Sequence, residues 1–109
     1  MPTIPADYIN YKTTATFNVD SVPKVFLSHH NTKKGVYGQI TVVKGQLKFF
    51  GFNGKSSEVE KETVIEKNTS DVVPPQYWHK VKFLTDDTEF FVKFYAHKDS
   101  ETVKELKEA

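Results

Sequence analysis

The chain has 109 residues and carries four histidines, His29, His30, His79 and His97, with no cysteine. Without thiolates, a transition-metal site must be built from imidazole with carboxylate or other oxygen donors, and neither a disulfide nor a thiolate nucleophile is available. That composition suits a reducing compartment. The sequence contains no HExxH, P-loop, GxGxxG or GxSxG pattern, so no nucleophile with a partnered base stands out. The segment that best combines stiffness with chemistry is Pro74-Pro75-Gln76-Tyr77-Trp78-His79. Its prolines turn the backbone into a strand, and Trp78 and His79 then point to opposite sides. Val81 and Phe83 share the parity of His79, which puts His79 on the apolar, inward face. An inward histidine is either a ligand or a core residue satisfied by one hydrogen bond, and the pattern leaves both open. Lys33-Lys34 beside Asn31 could hold an oxyanion or belong to a solvated loop. His97, beside Lys98 and Asp99, reads as a surface residue.

The elements that must position these groups are mostly strands. Residues 1–14, punctuated by Pro2 and Pro5, read as an irregular arm pinned by Tyr8, Ile9 and Tyr11. Ala15–Val19 reads as a short strand and Val22–Ser28 as an extended segment, followed by a loop over 29–35. Tyr37–Val43 is strongly strand-like, Lys44-Gly45 looks like a two-residue turn, and Gln46–Phe52 would complete a hairpin. Glu58–Glu66 predicts an exposed edge strand. Pro74-Pro75 excludes a central ladder position after Val72 and Val73. His79–Leu84 alternates cleanly, and Glu89–Ala96 is the last strand, with Phe90, Val92 and Phe94 on one side and Phe91, Lys93 and Tyr95 on the other. Asp99 or Ser100 can cap a helical tail to Ala109. Short strands at a spacing of about 8–12 residues predict an all-β sandwich or barrel.

Composition narrows the function classes. Lys+Arg is 15 and Asp+Glu is 14, a net charge of +1, so no broad field for nucleic acid or an anionic membrane is expected. The opening residues lack the basic start and apolar run of a signal peptide, and apolar runs are far below the roughly 18 residues of a membrane span. A single cytoplasmic domain over residues 1–109 is the expectation. The aromatic share of 14%, nine of them Phe, reads mainly as core filling.

A larger pattern joins the pieces. It runs from Phe26-Leu27-Ser28-His29-His30-Asn31-Thr32-Lys33-Lys34-Gly35 through Val42-Val43-Lys44-Gly45-Gln46-Leu47 to Pro75-Gln76-Tyr77-Trp78-His79-Lys80-Val81. This resembles the small cupin-like family of YeaR and of the N-terminal domain of tellurite-resistance TehB proteins, over roughly residues 5–97. The resemblance implies a short jelly-roll β-barrel or sandwich with a C-terminal helical tail. It also implies a divalent metal (zinc, iron, nickel or manganese) held by His30 and His79. Tyr37, Gln39, Trp78, Phe91 and Tyr95 are the candidate pocket residues, with Tyr37, Gln39, Tyr95 or Glu89 as sources of a further oxygen donor. The departures are specific. Gln76 stands where cupins usually have Gly, the second His of the first motif is missing, and Gly38 occupies the position of the usual glutamate. The implied ligand is a small molecule or an oxyanion such as tellurite, and the implied assembly is a homodimer that protects edge strands. A small metal-dependent oxygenase or isomerase and a metal-free regulatory module are the alternatives. The length leaves no room for the methyltransferase domain of the tellurite-resistance proteins, so no methyl transfer is expected of these residues.

Overall fold

The computed structural model describes residues 3–108. Its strands are β1 (Tyr8–Thr13), β2 (Val36–Lys44), β3 (Gln46–Phe52), β4 (Val59–Glu66), β5 (Ser70–Val73), β6 (His79–Phe83) and β7 (Glu89–His97), followed by the helix α1 (Glu101–Glu108). They form two antiparallel sheets. One has four strands in the order β1-β7-β2-β5, and the other has three in the order β4-β3-β6. The architecture is therefore the all-β class expected, as an open sandwich whose sheets do not close into a barrel. No helix among the described residues is long and apolar enough to cross a membrane.

Period-2 patterning decides which side chains meet between the sheets. On β2, Val36, Gly38, Ile40 and Val42 are buried and alternate with half-buried Tyr37, Gln39, Thr41 and Val43. The core comprises Ile40, Val42, Leu47, Phe49, Ile65, Val73, Val81, Phe90 and Val92. Four partly buried phenylalanines pack against it: Phe17, Phe26, Phe83 and Phe94. The expected role of the phenylalanines is thus largely structural, and truncating a buried one such as Phe49 would cost about 3–5 kcal/mol.

Four local expectations need correction. The arm contains a real strand: β1 pairs with β7, with an irregularity between Asn10 and Lys12. Ala15–Val19 contributes only one bridge, Phe17 with Phe90. Val22–Ser28 is not extended; Pro23, at φ −61°, starts a 3-10 turn over Lys24–Leu27. The expected hairpin at Lys44-Gly45 does not form, because β2 pairs with β5 and β7 while β3 pairs with β4 and β6. Gly45 is instead the corner at which the chain passes between sheets. Its φ is +71°, and an added Cβ would lie 2.8 Å from Thr88 Cα. Buried Thr88 anchors this corner, donating from Oγ1 to the Gln46 carbonyl at 2.9 Å and accepting from the Gln46 amide at 3.2 Å. Residues 1, 2 and 109, the ends of the expected arm and tail, lie outside the described residues.

Candidate functional site

Two segments far apart in sequence are sewn together at one end of the sandwich. The His30 amide donates to the His79 carbonyl at 3.1 Å, and the His79 amide donates to the His30 carbonyl at 2.8 Å. The Gln76 amide reaches the Thr32 carbonyl at 3.0 Å, and Thr32 Oγ1 donates to the Tyr77 carbonyl at 3.2 Å. Residues directly opposite in an antiparallel pair present their side chains on the same face. The bridge therefore puts both imidazoles side by side, with ring centroids 4.1 Å apart. Gln76 adopts φ +55° directly after Pro75, the left-handed conformation that the usual glycine would take without strain. The departure at this position thus leaves the turn intact.

Backbone carbonyls fix the tautomer of both rings. His30 Nδ1 lies 2.7 Å from the Ser28 carbonyl, and His79 Nδ1 lies 2.7 Å from the Tyr77 carbonyl. A carbonyl can only accept, so each Nδ1 carries the hydrogen and each Nε2 keeps its lone pair. Neither Nε2 makes a hydrogen bond among the described residues. Burial lowers the His79 pKa to about 4, with the neighbouring His30 acting in the same direction. Burial also lowers that of His30, and the adjacent His29 adds to the effect. Near neutral pH the site is therefore two uncharged imidazoles, each held by a carbonyl in the way metal-ligating histidines commonly are.

The pair opens on a cavity of about 300 Å³ between the sheets. Its floor includes Val36, Gly38, Ile40, Val73, Val92 and Phe94, while Lys12 and Lys33 reach its lining from β1 and the loop before β2. Sequence reasoning placed His30 and His79 in this region and missed most of the lining. The inward parity of Gly38 was available as a signal. Nothing marked Lys12, because its strand read as an irregular arm.

The other expected pocket residues sit elsewhere. Tyr37, Gln39, Phe91 and Tyr95 lie on the half-buried outer face of the four-stranded sheet, where Tyr95 donates from its hydroxyl to Gln39 Oε1 at 3.2 Å. Their parity opposes that of the cavity residues, and with the sandwich open this outer face looks away from the cavity. Trp78 is likewise outside it: it packs on His29 with ring centroids 4.8 Å apart, and His29 also meets Phe52 at 4.4 Å. His29 therefore faces the side opposite His30, as alternation requires. Glu89 is absent from the cavity lining. His97 is clamped at the surface, with Nε2 2.8 Å from Asp7 Oδ2.

A second layer of residues holds the pair in place. The Phe49 ring stacks on His79 at 5.7 Å and on Tyr77 at 6.5 Å. Tyr77 lies across Gly51, where an added Cβ would fall 2.6 Å from two ring carbons. Its hydroxyl donates to Glu60 Oε2 at 2.7 Å. Burial and that carboxylate push the Tyr77 pKa up to about 12, which keeps it a donor.

Against this geometry, comparison with known proteins is informative. Residues 12–92 match the TehB-like domain. The chain belongs to the TehB-like domain family. It is 34% identical over 93 residues to the probable S-adenosyl-L-methionine-dependent methyltransferase TehB of Haemophilus influenzae, a match covering 85% of this chain and 32% of the relative. The chain thus spans about a third of that protein. YeaR of Escherichia coli K12 is 32% identical over 96 residues, covering 84% of this chain and 81% of YeaR. Among solved structures, TehB from H. influenzae superposes with a TM-score of 0.83 at 32% identity, covering 95% of this chain and 36% of TehB. An E. coli K12 protein gives 0.84 at 32% identity, covering 89% and 98%. The sugar 3,4-ketoisomerase QdtA of Thermoanaerobacterium thermosaccharolyticum shares the fold at a TM-score of 0.53 and 14% identity, covering 91% of this chain and 74% of QdtA.

Proposed function

We propose that this TehB-like domain is a binding module for a small molecule carrying oxygen donors, anchored by a divalent metal on His30 and His79. One observation carries the reading: two neutral imidazoles, side by side, keep their Nε2 lone pairs while both Nδ1 hydrogens are committed to carbonyls. The donor chemistry fits zinc, iron, nickel or manganese, since neutral imidazole is a ligand for such ions. Bound there, the ion would act as a Lewis acid toward an oxygen of the ligand. No group of three His, Cys, Asp or Glu that could hold a metal occurs among the described residues. Two protein donors leave several coordination positions for water or ligand, which makes the metal weakly held and exchangeable. The protein's own part is to orient the rings, exclude bulk water from the apolar floor and keep both imidazoles uncharged. Tellurite or stress resistance in the cytoplasm is the setting that the family resemblance suggests. A homodimer formed through the sheet edges would complete the assembly.

Equilibrium dialysis against zinc tests the ligand assignment. The wild type is expected to retain zinc, and the His30→Ala/His79→Ala double variant to retain none above background. Equal zinc in both proteins would refute it.

A further inference from the structure

We infer that the ligand is a compact apolar monocarboxylate, bound with its hydrocarbon body on the cavity floor and its carboxylate toward Lys12 and Lys33, rather than a bare inorganic oxyanion. This rests on the cavity being the binding site and on the cavity lining alone, apart from any metal on the imidazoles.

Three observations support it. A volume of about 300 Å³ corresponds to roughly ten water volumes at roughly 30 Å³ each, well beyond a small oxyanion. The floor is hydrocarbon: Val36, Ile40, Val73, Val92 and Phe94 surround Gly38. An inorganic oxyanion has no apolar surface to place on that floor, whereas an apolar body gains from leaving water. The lining also carries charge. Each imidazole commits its Nδ1 hydrogen to a backbone carbonyl, so neither ring offers that donor to an anion. The cations in the lining are Lys12 and Lys33, and neither has a carboxylate ion-pair partner among the described residues. A ligand with an apolar body and one anionic group matches a lining of hydrocarbon and lysine.

Methyl NMR tests this with benzoate, its neutral counterpart benzyl alcohol, and inorganic phosphate as probes. Benzoate is expected to shift the methyl signals of Val36, Ile40, Val73 and Val92 saturably, benzyl alcohol to bind about fivefold more weakly, and phosphate to leave them unmoved. Lys12→Gln/Lys33→Gln should bring benzoate to the level of benzyl alcohol. Gly38 has an ordinary negative-φ backbone, and an added Cβ meets its nearest neighbours at 3.8 Å, so Gly38→Leu can fill the floor without backbone strain. That variant should lose the benzoate response yet keep zinc on the histidines. Should Gly38→Leu not fold, Gly38→Ala is the second variant, with a weakened response. Phosphate acting like benzoate, or a benzoate response unchanged in the filled variants, would overturn the inference. Loss of zinc binding with benzoate binding intact would remove the metal from the proposed function and leave the carboxylate site standing.

Discussion

Acidification should expose the cost of burying His79. Its pKa falls from 6.5 to about 4 in the folded protein, first because the ring is buried and second because His30 lies beside it. The hydrogen bond to the Tyr77 carbonyl acts in the opposite direction and is outweighed. Above pH 6.5 His79 is neutral in both folded and unfolded chains and contributes no pH dependence. Between pH 6.5 and about 4 the unfolded chain takes up a proton that the folded chain refuses, so stability falls with falling pH. The interval of about 2.5 units, at about 1.4 kcal/mol per unit, gives roughly 3 kcal/mol once pH reaches about 4. His30 adds to the loss in the same direction. Urea unfolding of wild type and His79→Leu at several pH values between neutrality and pH 4 isolates the effect, since other titrating groups are common to both. The variant should lose about 3 kcal/mol less than the wild type over that range. Parallel stability curves, or an NMR titration of His79 near its ordinary pKa, would refute the reasoning.

Three further outcomes follow from the geometry. Gly38→Glu adds a carboxylate to the cavity that holds both histidines, at the position where cupins usually carry glutamate, and should tighten zinc binding by about tenfold in a dialysis titration. Gly51→Ala forces Tyr77 from its seat and should cost about 1–3 kcal/mol in chemical denaturation, with a shifted His79 ring signal because Tyr77 supplies its carbonyl partner. Thr88→Val removes the hydroxyl partner of the Gln46 amide at the sheet-to-sheet corner, leaving the Gln46 carbonyl with the Leu84 amide alone, and should cost about 1–3 kcal/mol by the same assay.

Strand placement was readable wherever one face is buried. β3, β6 and β7 fall within a residue or so of their expected bounds because alternation along each encodes a face, whereas β4, with only Ile65 buried, was legible as an exposed edge strand. Pairing was less readable. Gly45 has the look of a hairpin turn, yet what its positive φ provides is a corner against Thr88, and that contact comes from residues more than forty positions away. β1 was hidden because its burial pattern is only partly alternating; it is held as an edge strand by backbone hydrogen bonds to β7. At the site, His30 and His79 were visible through their motifs and the parity of β6, and the bridge then brings them together. Tyr37, Gln39 and Tyr95 were pocket candidates as oxygen donors, and Phe91 and Tyr95 because they lie on the face opposite Phe90, Val92 and Phe94. That face is half-buried on the outside of an open sandwich, so a lightly packed parity marked the exterior. Lys12 and Thr32 reach the cavity through tertiary contacts that local patterning does not carry.

The central claim is that His30 and His79 present two free Nε2 lone pairs to one cavity. Nitrogen-15 NMR of the histidine rings, recorded at neutral pH before and after adding zinc, tests it directly. Both rings should show the Nδ1–H tautomer, and zinc should move both Nε2 signals together at one equivalent while leaving His97 unchanged. An Nε2–H tautomer at either ring, or Nε2 signals of His30 and His79 indifferent to zinc, would contradict the account.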